Sequence, residues 1–530
     1  SKIYMIVMII ITLLILGGYF SYAMFTVSKE RGNAISIVTG NLTFDLKVDG
    51  TTGNTLTVKA NRSREFEVTL TNPNNRTARF NFYYLGDISS EVNIGYLESD
   101  EYNKTPEAVG VNLEKSGSSG SSNVYRILVE NESDNDISIE LGVSVGLDYN
   151  DLSLEDNEHL FTKIELPNVV DQLLVTNKVQ TEKDNMFNYT SKGDIYTDAT
   201  SGTISNDPDY VTNGLYSMND EDGISYYYRG NIENNNVQFG EYASDYYVYS
   251  NNFRYFQTLE SCQEYNRSCS ESNRVKLASA GDKMYWKIVR VNGDGSLRLI
   301  YNGTSPNPDN SDLAHFYAVG ASPYNLEAND PKYAGYTYDR NTNETDSFIK
   351  KEVDTWYSNT LGNSNYDSMV QNGRFCSDSS GYKLGTEYGF SGANYNVFSS
   401  FDRLAMAGEG ISFSRPNSPS LICPDTDETY GGSYNLKAGL ITADELVLAG
   451  ESMLISGNSY LSIGSSNVGY WSMTPADFDG GDVDIWYKAE ILNNGYVNFN
   501  YAIRPLINVT IDDGFTSGDG TISSPYVIEN

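Results

Sequence analysis

The chain has 530 residues, with 36 Lys and Arg set against 70 Asp and Glu, for a formal net charge of −34. Acidity of this size, spread along the chain, excludes nucleic acid as a partner, because phosphate binding needs clustered cations. Aromatic residues make up 13% of the chain, 42 of them tyrosines, which excludes a disordered chain and fits a β-rich, loop-rich composition.

The first element in chain order is a leader. Residues Ile3 to Phe25 are apolar almost without interruption and carry no charge. A helix needs about 20 such residues to span a hydrocarbon core. The same stretch reads as a secretory signal, with Lys2 as a minimal positive region, Ile3 to Leu16 as the apolar region and Ser21-Tyr22-Ala23 as a small-x-small cleavage site. Residues 1–25 are therefore expected to be either a cleaved signal peptide, leaving Met24 first, or an uncleaved signal anchor in the membrane. Both place the remaining chain outside the cytoplasm, secreted or held at the cell surface.

Residues 26–154 are expected to form a β-sandwich. Asn41 to Val48, Arg64 to Leu70, Arg79 to Tyr84, Val124 to Val129 and Ile137 to Leu141 alternate apolar and polar residues, the signature of half-buried strands. Turns such as Asn72-Pro73-Asn74-Asn75 separate them. Gly17-Gly18, Ser21-Tyr22-Ala23-Met24-Phe25 and Gly40-Asn41-Leu42 ahead of the first strand resemble the camelysin and TasA-type bacterial surface and biofilm-fibre proteins. That resemblance implies a jelly-roll or Ig-like sandwich and covers about the first 150 residues. Camelysin relatives have been classed as metallopeptidases, but this chain has no H-E-x-x-H motif and only two histidines, His159 and His315.

Residues 155–215 are expected to hold a short helix, Leu166 to Val179, and a polar linker, Thr181 to Thr212. Residues 216–530 read as one large α+β module. Gly223 to Gly230 and Asn236 to Phe239 look like two strands around an Asn-rich turn. Tyr285 to Val291 and Ser296 to Ile300 form a hairpin over Asn292-Gly293-Asp294-Gly295. A helix capped by Asp346 carries Ile349, Val353, Trp356, Tyr357 and Leu361 on one face and stops at Gly362. Thr442-Ala443-Asp444-Glu445 is a capping box for a second helix, closed by Gly450. Strands then return at Tyr470 to Met473, Val483 to Ile491 and Tyr496 to Val509, with Asn493-Asn494-Gly495 as a turn, and end at Tyr526 to Ile528.

Tyr470-Trp471-Ser472-Met473-Thr474-Pro475, Ile503-Arg504-Pro505-Leu506-Ile507-Asn508 and Gly439 to Glu445 resemble a recurrent, largely uncharacterised bacterial surface module that is distantly C-type-lectin-like. The resemblance implies a scaffold that presents loops, and no particular ligand. The loops from Tyr301 to Asn343 and from Tyr366 to Tyr434, long and rich in Tyr, Asn, Asp and Ser, are where recognition is expected.

The four cysteines suit an oxidising compartment and allow three pairings. Cys262–Cys269, closing a short polar loop, and Cys376–Cys423, closing a long one, are the expected pair. Catalytic chemistry is scarce. His159 lies in the polar turn Asp156 to His159 and His315 in Ala314-His315-Phe316, and neither has a nucleophile motif beside it. Ser347-Phe348-Ile349-Lys350 matches S-x-x-K without its partner motifs and reads better as a helix start. Asp477, Asp479, Asp482 and Asp484 alternate around glycines and are a calcium candidate, against the competing reading of a solvated turn; no other cofactor is expected. Trp286, Trp471 and Trp486 are candidates for sugar stacking, against the commoner role of core residues.

The expected function is that of a non-catalytic cell-surface protein. The C-terminal module would bind an extracellular glycan or a matrix or host surface protein. The alternatives are an exported glycan or cell-wall hydrolase and a biofilm-matrix fibre subunit.

Overall fold

The computed structural model describes residues 28–30, 42–97, 111–147, 154, 156–182, 186, 212–252, 254–308, 319–338, 345–381, 383–384, 396–404, 419–424, 431–451, 459–462, 469–478, 481–489 and 491–529. The leader, most of the expected 181–212 linker, His315 and Asp479 lie outside them. The chain divides into two compact units, Ser1–Leu166 and Pro167–Asn530, both mostly β. Among the described residues, no helix is long and apolar enough to cross a membrane.

The first unit is a sandwich of two six-stranded sheets. In one, Ser122–Asn131 lies between Arg62–Thr71 and Val92–Tyr96, with Asp45–Val48 beyond. In the other, Ala78–Leu85 pairs with Ile137–Gly146, which also takes Thr55–Val58 and the short Ser28–Glu30. The alternation read in the sequence decides which side chains are inside. Phe66, Val68, Leu70, Tyr125, Ile127 and Val129 from one sheet meet Phe80, Phe82, Ile139, Leu141, Val143 and Val145 from the other in a single buried core. On the other face of the second sheet, Gly142 is required because a Cβ would collide with the Tyr83 ring. On the outer face, Arg126 forks onto Glu65 at 2.8 and 2.9 Å, both side chains buried.

The boundary between the units differs from the expected linker. Residues as far as 166 belong to the first unit, where Glu158–His159 extends the Ala78–Leu85 edge and Thr162–Lys163 runs parallel to Val92–Tyr96. The expected helix is Asn168–Thr176 and belongs to the second unit, burying Val169, Val170, Leu173 and Leu174. The polar composition of 155–166 hid two short edge strands that carry little apolar pattern of their own.

The second unit holds a nine-stranded and a ten-stranded sheet. Gly214–Asp220, Gly223–Arg229, Lys283–Val291, Leu297–Tyr301, Leu506–Val509 and Val370–Gln371 are consecutive neighbours in the first. Gly223–Arg229 and Asn236–Glu241 are both strands, but each pairs with Lys283–Val291 rather than with the other. The hairpin over Asn292 to Gly295 forms as read.

The helix Phe348–Asn359 is capped by Ser347, whose Oγ accepts from Lys350 N at 3.2 Å. Asp346, the expected cap, instead ion-pairs with Lys350. Instead of stopping at Gly362, this helix ends at Asn359 and a 3-10 turn, Leu361–Asn363, follows. Asn493-Asn494-Gly495 is not a turn; it lies within the strand Leu492–Tyr496. The reversal falls at Ala489 to Ile491, between paired Lys488 and Leu492. Gly495 packs against the Tyr487 ring in that strand, where a Cβ would sit tightly at 3.0 Å.

Candidate functional site

The most charged part of the second unit rests on one face of its nine-stranded sheet. Residues paired across neighbouring strands share a face. Arg290 pairs with Arg298, Arg298 with Asn508, and Asn508 with Gln371. A polar row therefore crosses four strands that are otherwise largely apolar, with Leu297, Leu299, Ile507 and Val509 fully buried or nearly so.

Burying two guanidiniums is costly unless carboxylates meet them. The short helix Ala443–Leu448 supplies one. In its capping box, Thr442 Oγ1 accepts from Glu445 N at 3.0 Å while Glu445 Oε2 accepts from Thr442 N at 3.0 Å. The same carboxylate accepts from Arg290 Nε at 3.1 Å and from Arg298 Nη2 at 3.4 Å, and its Oε1 lies 2.5 Å from Arg298 Nε as an ion pair. Arg290 Nη1 also donates to Asp220 Oδ2 at 2.6 Å. Burial pushes the Glu445 carboxyl up, but Arg298 and Arg290, with the Thr442 N–H, outweigh it and hold it below its ordinary value.

A second cluster adjoins the first. Arg403 forks onto Asp444 at 3.0 Å through both contacts and reaches Asp378 at 2.7 Å. Burial lowers the Arg403 pKa, yet Asp444 and Asp378 together raise it above its usual value. The wall is the two-stranded antiparallel sheet of Gly373–Ser377 and Gly432–Leu436. The Cys376–Cys423 disulfide ties residues 419–424 to that small sheet. Ser420 N then donates to Asp444 Oδ1 at 2.9 Å and Cys423 N to Glu221 Oε1 at 2.8 Å.

Between this two-stranded sheet and the nine-stranded sheet lies a polar cleft of about 370 Å³, reaching from Asp220 and Asn292 to Gln371, Arg374, Tyr434 and Asn435. Arg374 is 46% exposed, and its nearest carboxylates, Glu221 and Asp222, stand at 3.6 and 3.8 Å, beyond hydrogen-bond reach.

The residues singled out in the sequence fall elsewhere, with one exception. Cys376–Cys423 lines the smaller hollow next to the cleft, and Cys262–Cys269 is paired at a distance from it in sequence, in a core with Phe256 and Phe348. Trp286, Trp471 and Trp486 are fully buried, so they are core and not a stacking surface. Each indole N–H is spent inside, on Phe239 O, Ser322 O and Ser400 Oγ respectively. Asp477 and Asp484 are buried and share the amide of Asn494 at 2.7 and 3.0 Å. Asp482 is half-buried, and among the described residues no group of three His, Cys, Asp or Glu is placed to hold a metal ion. His159 belongs to the first unit, where Nε2 lies 3.1 Å from Gly86 O and the ring rests on Tyr84.

The loop expected to carry recognition, Tyr366 to Tyr434, contributes Gln371, Gly373, Arg374 and Tyr434 to the cleft. The arginine row was missed. Its available signal was two arginines, Arg290 and Arg298, flanking a hairpin turn in strands that are otherwise apolar.

No family model, curated protein or solved structure matches this chain. The two disulfides fit an oxidising environment.

Proposed function

We propose that the chain is a non-catalytic bacterial cell-surface protein whose second unit binds an extracellular ligand in the polar cleft. The observation that carries this reading is the composition of the cleft. Its fixed charges are largely paired with one another, and its rim is made of amide, hydroxyl and carboxylate side chains on a two-stranded sheet and the nine-stranded sheet. Such surfaces suit recognition. The sandwich-plus-head arrangement suits the camelysin or TasA-like and lectin-like resemblances, and the disulfides suit export.

The test is to incubate the full chain with peptidoglycan, mucin glycans and matrix proteins, scoring retention and product release separately. Retention without turnover is the expected result. Product release abolished by Asp222→Asn or Asp294→Asn would instead identify an exported hydrolase.

A further inference from the structure

Residues 419–424 form a short strap beside the buried charges of the second unit. Residues 420–424 all line the hollow of about 30 Å³ in which Arg298, Arg403 and Glu445 also stand. Hydrogen bonds hold the strap at two carboxylates, from Ser420 N to Asp444 Oδ1 at 2.9 Å and from Cys423 N to Glu221 Oε1 at 2.8 Å. Leu421 anchors it in a buried cluster with Tyr216, Tyr227 and Leu448. Such contacts are a small hold against the entropy of ordering six residues. The Cys376–Cys423 disulfide supplies the rest by keeping Cys423 at the small sheet.

The two disulfides differ in what can reach them. Cys262 and Cys269 are 0% and 3% exposed and pack with Phe256 and Phe348 in an apolar core. Cys376 and Cys423 are both half-buried and line the hollow. Thiol–disulfide exchange starts when a thiolate reaches a sulfur, so the second pair is the reactive one. Its surroundings also connect it to the cleft. Arg374 and Cys376, two residues apart in one strand, point to the same face. Glu221, which holds Cys423 N, stands 3.6 Å from Arg374, and both line the cleft as well as the hollow.

We propose that Cys376–Cys423 is a reducible latch. A dithiol opens it while Cys262–Cys269 stays closed, and the strap then lifts, uncovering the Arg403–Asp444 pair and joining the hollow to the cleft. One thiolate of the reagent attacks a sulfur, the Sγ–Sγ bond breaks, and the departing cysteine takes a proton. The second thiol then displaces the other cysteine and closes the reagent's own disulfide. Two electrons and two protons pass to the protein, and the dithiol is oxidised in step. The latch goes beyond the binding role proposed above and does not depend on it, since its test reads the strap itself.

The experiment titrates the full chain with dithiothreitol, alkylates the freed thiols for peptide mapping, and follows hydrogen exchange and tryptophan fluorescence on the same samples. Cys376 and Cys423 should become alkylated at a dithiothreitol concentration about tenfold or more below that needed for Cys262 and Cys269. The amides of Ser420 and Cys423 should lose protection together with that alkylation and regain it on reoxidation. Arg62–Thr71 and the fluorescence of the buried tryptophans should stay unchanged. Leu421→Ala, which removes the apolar anchor and keeps both disulfides, should lower the dithiothreitol midpoint of Cys376–Cys423 by about tenfold and leave that of Cys262–Cys269 alone. Reduction of both disulfides together, or of Cys262–Cys269 first, would overturn the selectivity. Reduction that leaves the Ser420 and Cys423 amides protected, or a midpoint that Leu421→Ala does not move, would overturn the latch. A fluorescence change that accompanies reduction would mean that the disulfide holds the whole unit and not the strap.

Discussion

Replacing Glu445 by Gln tests whether the arginine row is held by a single carboxylate. Gln keeps the shape of the side chain and an oxygen that can still accept from Thr442 N, so the capping box survives. What is lost is the charge opposite Arg298. Arg290 retains Asp220 at 2.6 Å. Arg298 retains only the Arg374 carbonyl at 3.1 Å, the Asn508 oxygen at 3.4 Å and the face of Phe375 at 4.4 Å. It becomes a cation with 2% of its side chain exposed and no opposing charge in contact. Breaking a buried pair in this way costs roughly 3–5 kcal/mol.

All four tryptophans lie in the second unit and all are fully buried, so urea unfolding followed by Trp fluorescence reads this unit alone. Arg298→Met should cost a similar amount. The double variant should recover roughly 1–3 kcal/mol relative to the sum of the two, because it leaves no unpaired charge. A Glu445→Gln midpoint within about 1 kcal/mol of the parent would refute the reasoning and mean that water reaches Arg298.

Three further outcomes follow from buried groups. Burial raises the Glu352 carboxyl from 4.5 to about 7, so the stability it contributes is complete below about pH 4.5 and lost as pH rises through about 7. The loss is worth roughly 3 kcal/mol, and Glu352→Gln, which keeps an oxygen for Gln257 N, should flatten this part of the pH profile of urea midpoints. Replacing Cys376 and Cys423 by Ser removes a staple across 47 residues, which should cost the second unit about 4 kcal/mol by loop-closure entropy and weaken retention in the cleft, read by thermal unfolding and array binding. In the first unit, Glu65→Gln removes the carboxylate that Arg126 forks onto and should lower stability by roughly 1–3 kcal/mol, measured by hydrogen exchange of Arg62–Thr71; no change there would mean the pair is solvated.

What could be read from the sequence depended on how far apart the interacting residues lie in it. The strands around Phe66, Phe82 and Ile127 were legible because alternation is local: each apolar residue marks its own side of its own strand. The Thr442-to-Glu445 cap was legible for the same reason. The arginine row was not. It needs Arg290, Arg298, Gln371 and Asn508 side by side, and the register that brings them together is fixed by pairings across more than two hundred residues of chain. Nothing local announces it. Asn494 shows the converse failure. Its neighbours spell a turn, but its amide is held by Asp477 and Asp484, and this keeps it in a strand. In both cases a side chain that looks like surface polarity in the sequence is spent on a distant partner.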